Sequence, residues 1–264
     1  MAINTDKNSY TVIFAVAMVL VVGSLLAFIA SSLKPTITEN QRLEKQQNIL
    51  YAMGINDNDE SSAVFISTDK APKAFEENVK EQIVLTIDPN GKILKEQTRD
   101  EYFAETNEEP YLINVKKEQA KANAGEPRYL PLFVGDNKEG KQVYVAPIYG
   151  KGLWDAIWGY VAVDKDMVVQ GAYFDHKGET AGLGANIKQR YFMDDFYGER
   201  LLTESGAFKG ITVAKGNADP KNEDKTDNEV DAIAGATITG DGVSAMIKKD
   251  MKLYYPYFQN LKTN

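Results

Sequence analysis

The chain has 264 residues, 30 of them basic and 38 acidic, for a net charge of −8. That balance, with no dense Lys/Arg stripe, speaks against a nucleic-acid partner, whose binding face needs clustered cations. With no cysteine and a single histidine, His176, the chain has no disulfide, thiolate zinc site, iron–sulfur ligation or multi-histidine metal site, so any electron it handles needs an organic cofactor.

After a short tail (1–9), an uncharged apolar run over 10–33 predicts a transmembrane helix. Its strictest core, Val12 to Ala30, is 19 residues, roughly 28 Å as a helix and close to the hydrocarbon thickness. Twelve of those are Val, Ile, Leu or Phe, together favouring the bilayer by roughly 4–7 kcal/mol. The run is longer than the core of a signal sequence and shows no polar face, so it reads as a retained span. Orientation stays open. Lys7 is offset by Asp6 ahead of the span, and Lys34, Arg42 and Lys45 follow it; a naive positive-inside count points the domain into the cytoplasm, but that rule is weak for long domains.

Pro35 is expected to end the apolar helix, and 34–56 to form a separate juxtamembrane helix capped by Thr38 or Asn40, with Leu43, Ile49, Leu50 and Met53 as its apolar stripe. A single domain is expected over 57–264. "QIVLTIDPNGKILKE" reads as a hairpin about Pro89-Asn90-Gly91, and "RDEYFAETNEEP" as an acidic surface connection. "KQVYVAPIYG", "AIWGYVAVD" and "MVVQGAYFD" read as strands, the last two joined tightly and therefore antiparallel. "AFKGITVAKG" reads as a further strand, and "NADPKNEDKTDNEVD" is too polar for core and reads as a mobile loop. The last segment spaces Val243, Met246, Ile247, Met251, Tyr254, Tyr255 and Phe258 as a helical stripe, best explained by core packing, with Pro256 expected to end or kink it. The fold class is therefore α+β: one N-terminal transmembrane helix, then a domain with a twisted antiparallel sheet flanked by helices.

Three glycine-rich stretches carry the candidate chemistry: "YGKGLWDAIWGY", "HKGETAGLGANI" and "DAIAGATITGDG". Stripped of side chains, such backbone can approach a phosphate or a flat ring closely, or simply turn tightly. His176 reads as a local hydrogen-bonding residue. "GDG" lacks the lysine of a phosphate-binding P-loop. What remains is a hydroxyl, Thr239, just ahead of a helix, where backbone N–H groups and the helix dipole favour a phosphate.

Asp231, Gly235, Ala236, Thr237 and Thr239 resemble, in order and spacing, the flavinylation signature of the FMN-binding domain family, with Ala234 where a small hydroxylic residue is common. "GKGLW" and "HKGETAGLG" are similar to segments of the NqrC family, a component of the sodium-translocating NADH:quinone reductase, with Ala181 where proline is usual. The resemblance runs from about Leu130 to the C-terminus. The RnfG component of Rnf-type complexes shares the flavin domain and is an alternative, as is a tethered non-enzymatic binding module. The resemblance implies FMN esterified to Thr239 by a separate flavin transferase that uses FAD. It also implies an extracytoplasmic domain on the periplasmic side of the inner membrane, and electron relay between neighbouring subunits. Asp231 is expected to assist the transferase; Glu179, Thr180, Gly182, Leu183, Gly184 and Trp154 are expected near the flavin.

Overall fold

The computed structural model describes residues 7–59 and 62–263; the first six residues of the expected tail lie outside them. Helix α1, Asn8–Ala52, is continuous over 45 residues. It contains a stretch long and apolar enough to cross a membrane, none of it buried. Pro35 sits inside this helix and does not end it. A proline costs a helix one backbone hydrogen bond and some strain, and the length of helix on both sides carries the chain through. Thr38, expected as a cap, donates its hydroxyl to the Lys34 carbonyl at 3.0 Å within the same helix. Residues up to Arg42 form one unit and Leu43–Asn264 a second. Within the second unit, Ile49, Leu50 and Met53 are buried in the core.

The domain continues with α2 (Ala71–Asn78), β1 (Val79–Ile87), β2 (Ile93–Thr98), α3 (Arg99–Thr106), α4 (Val115–Asn123), β3 (Arg128–Asp136), β4 (Gln142–Lys151), β5 (Ala156–Val163) and β6 (Val169–His176). It closes with α5 (Arg190–Asp195), β7 (Thr212–Val213), β8 (Glu229–Val230) and α6 (Thr237–Thr263). Six strands form one antiparallel sheet in the order β2-β1-β3-β4-β5-β6, and β7 and β8 pair in parallel. "AFKGITVAKG" thus yields two strand residues only. "RDEYFAETNEEP" is not an irregular connection: it holds α3, started by a reciprocal capping box between Thr98 and Glu101, which supplies partners for two N–H groups a helix start leaves open.

The β3–β4 ladder pairs Phe133 with Val145 through Asp136 with Gln142 and goes no further. Continuing that register would set Pro131 opposite Pro147, and neither can donate a backbone hydrogen bond. Helix α6 serves the groups left open there. Tyr254 donates its hydroxyl to the Pro131 carbonyl at 2.9 Å, and the Tyr149 N–H donates to the Asp250 carboxylate at 2.8 Å. Val243, Met246, Ile247, Met251, Tyr254 and Phe258 are buried, so the stripe is core. Pro256 lies inside α6 and does not end it, and Tyr257 and Phe258 directly after it are buried. The N-terminus of α6 is thereby fixed at the end of β4 that leads into the β4–β5 turn.

Candidate functional site

Three segments converge at that point: the β4–β5 turn, the loop after β6, and the approach to α6. Gly235 has φ +70°, a conformation that favours glycine, and a Cβ there would lie 2.8 Å from Leu183. Thr237 opens α6, so Thr239 lies in its first turn, not just ahead of it. The first N–H groups of a helix have no partner within it and carry partial positive charge.

Thr239 is 1% exposed, and its hydroxyl donates to Glu179 Oε2 at 2.6 Å. The other carboxylate oxygen, Oε1, accepts the Trp154 N–H at 2.9 Å and, more weakly, the Asp155 N–H at 3.5 Å. The Glu179 N–H in turn donates to His176 Nδ1 at 3.1 Å, the local role expected of the lone histidine. Burial pushes the Glu179 carboxyl up, but the Thr239 hydroxyl and the N–H groups of Trp154, Asp155 and Leu153 outweigh it and hold the group below its ordinary value. Two glycines make room for this carboxylate. A Cβ on Gly152 would stand 2.5 Å from Glu179 Oε1, and one on Gly184 would stand 2.5 Å from both Glu179 Oε2 and the Thr239 hydroxyl.

A cavity of about 250 Å³ opens beside the pair. Thr180, Gly235, Ala236 and Thr237 line it together with Glu179, Gly184 and Thr239, and Leu153, Leu183 and Ile238 form its apolar wall. Leu153 (45% exposed), Leu183 (42%), Ile238 (57%) and the nearby Trp154 (66%) make an uncovered apolar rim, with the Trp154 indole N–H donating to Thr180 at 3.2 Å. Of the expected residues, Gly182 lies in the same loop with φ +78° and open space where a Cβ would be. Asp231 is not among the lining residues. It follows β8 and adds to the charge around Asp195, whose carboxyl is raised first by burial. Sequence reasoning missed Leu153 and Ile238 as rim residues. It also missed the direct partnership of Glu179 with Thr239, which only the fold brings about across 60 positions. The residues fit FMN: the hydroxyl stands at a helix start, glycines strip the approach, and the exposed rim can cover a ring the cavity is too small to enclose.

The fold and this site define an FMN-binding-domain protein, and the FMN-binding domain family matches residues 152–252. Over nearly its whole length the chain is similar to NqrC, the C component of the Na(+)-translocating NADH-quinone reductase. It is 31% identical to that protein of Yersinia pestis, over 91% of this chain and 87% of the relative, and 28% identical to that of Haemophilus ducreyi, over 93% and 90%. The crystal structure of the corresponding protein of Parabacteroides distasonis superposes with a TM-score of 0.65 at 28% identity, covering 86% of this chain and 96% of that one. The chain belongs to the NqrC family of the Na(+)-translocating NADH-quinone reductase.

Proposed function

We propose that this chain is the membrane-anchored flavin subunit of a Na+-translocating NADH:quinone reductase, with FMN held on Thr239 as a phosphoester. The observation that carries the covalent linkage is electrostatic. Among the described residues, Glu179 is the only charged one lining the cavity, and an acid repels a free phosphate that Lys or Arg would attract. A reversible phosphate site would need cations; an ester bond does not. The N–H groups at the start of α6 face the remaining charge.

Bound FMN supplies reversible electron transfer. The protein's own part is to hold it. Leu153, Trp154, Leu183 and Ile238 would cover the ring, and the ester keeps it at high effective concentration where a merely micromolar site, worth about 8 kcal/mol, would lose it to a large outer volume. Electrons then pass to and from neighbouring subunits, α1 anchors the domain in the inner membrane, and the domain faces the periplasm. A flavin transferase loads the hydroxyl.

The test is to co-produce the chain with a flavin transferase and view a denaturing gel under ultraviolet light. A fluorescent band in wild type and Thr239→Ser, absent in Thr239→Ala, is the expected result. A dark wild-type band overturns the proposal.

A further inference from the structure

We infer that Glu179 is the base of the flavin-attachment step: its Oε2 orients the Thr239 hydroxyl and takes its proton as the hydroxyl is esterified. The inference rests on the covalent reading of Thr239 and adds to it a chemical role inside the acceptor chain. A threonine hydroxyl is a weak nucleophile until a base stands within hydrogen-bond reach, with that base itself oriented by a further group. Both conditions are met. Oε2 is 2.6 Å from the hydroxyl, Oε1 is fixed by the Trp154 N–H at 2.9 Å, and the Glu179 backbone is tied to His176 at 3.1 Å.

The packing favours the same assignment. Glu179 is 7% exposed, and no cation pairs with it among the described residues. A buried carboxylate of this kind is costly unless every bond to it is in place. Gly152 and Gly184 are positions where a side chain would strike it. A Gln would accept the Trp154 N–H through its one oxygen but could only donate toward the Thr239 hydroxyl, so of the two side chains the carboxylate alone can accept that proton.

Thr239 Oγ1 attacks the FMN phosphorus of FAD, a phosphoanhydride, and the Oγ1–P bond forms. The P–O bond to AMP breaks, and AMP leaves with the electron pair. The hydroxyl proton passes to Glu179 Oε2 and from there to water, because the N–H groups that hold this carboxyl below its ordinary value favour its charged form. No electron is gained or lost.

The experiment uses the full chain in detergent, produced without a transferase, then mixed with purified flavin transferase and FAD. Loading is followed by in-gel fluorescence and by the mass of the Thr239 peptide from pH 6 to 8.5. Taking the ratio of wild-type to Glu179→Gln rates cancels the transferase's own pH dependence. At pH 6 the ratio should be at least about a hundred, the usual reach of a general base. It should then fall about tenfold per pH unit, because Glu179→Gln depends on hydroxide and wild type does not. Glu179→Asp should load at an intermediate rate with the wild-type profile, and it decides the matter if Glu179→Gln does not melt like wild type. A Glu179→Gln rate equal to wild type, or lower by one constant factor at all pH values, overturns the role of Glu179 while leaving the ester intact. Failure of wild type itself to load at Thr239 overturns the reading beneath it.

Discussion

Gly184 and Thr239 are so close that a single methyl group on the glycine would stand 2.5 Å from the threonine hydroxyl, and equally near Glu179 Oε2. An ester on the threonine oxygen would have to share this space. Gly184 does not need its glycine for backbone strain, as Gly182 does with φ +78°; it needs it for space. Gly184→Ala should therefore lower covalent flavin loading at least about tenfold, since overpacking by one methyl commonly costs about 1–3 kcal/mol. Thr239, Glu179 and Gly184 are all buried, so the melting temperature should also fall by several degrees. Fluorescence per mole of protein on a denaturing gel, with a melt on the same sample, checks it; full loading would show that this space is not the constraint.

The absence of cysteine gives a direct test of sidedness. Lys73, with 82% of its side chain exposed and only a weak helical ion pair to Glu77 at 3.5 Å, can be replaced by cysteine at little cost. In intact cells, Lys73→Cys should react with a membrane-impermeant maleimide to the same extent as after lysis. Labelling only after lysis would put the domain in the cytoplasm, where the naive charge count had pointed.

Much of the sheet was legible because local rules and global packing agree. The β1–β2 hairpin turns at Asp88–Lys92, where the Asp88 N–H meets the Lys92 carbonyl at 2.9 Å, and β4, β5 and β6 fall on the runs read as strands. The strand β3 was not legible: Pro131 near its centre argues against a central strand, and the fold accommodates it by ending the β3–β4 ladder at Phe133 and giving the Pro131 carbonyl the Tyr254 hydroxyl, 123 positions away. The helix α3 was hidden by its acidity, although Thr98 and Glu101 stand at capping-box spacing. Pro35 and Pro256 misled in the opposite sense, since one missing bond does not stop a helix as long as either of these. At the site, the resemblance to a flavinylation signature pointed to Thr239. Its bond to Glu179 depends on tertiary structure and left no mark in either segment.

Glu199 is fully buried, with Lys225 Nζ at 3.6 Å. Burial pushes its carboxyl up to about 7, with Lys225 the main opposing influence. Removing the cation should matter most where the acid is charged. Lys225→Met is expected to cost about 1–3 kcal/mol at pH 8, less than the roughly 3–5 seen when fully buried pairs are broken, because Lys225 is partly exposed. At pH 6, where Glu199 is largely neutral, the cost should shrink. Urea unfolding at the two pH values measures it, and an equal cost at both would remove the ion pair from the account.

Asp250 poses the complementary case at the heart of the fold. Its carboxylate accepts the Tyr149 N–H at 2.8 Å and the Gln119 amide at 3.0 Å, beside the point where β3 and β4 stop pairing. Burial pushes its carboxyl from an ordinary 3.8 up to about 6, although Tyr149, Lys249, Arg128 and Gln119 all favour the charged form. Between these values the folded state holds a proton that the unfolded chain has released. This contribution to stability is therefore fully present below about pH 4 and is lost as pH rises through about 6. Two pH units correspond to at most about 3 kcal/mol. Asp250→Asn keeps an acceptor for Tyr149 but cannot ionise, so its stability should lack that fall. The wild-type minus Asp250→Asn difference, from urea unfolding at pH 4, 5, 6 and 7.5, should therefore drop by about 1–3 kcal/mol as pH rises, with the other acids cancelling in the subtraction. A difference that grows with pH would mean that the bonds from Tyr149 and Gln119 favour the charged carboxylate more than burial penalises it. The α6–β4 contact that sets the start of the helix, and Thr239 with it, would then be an ionic one.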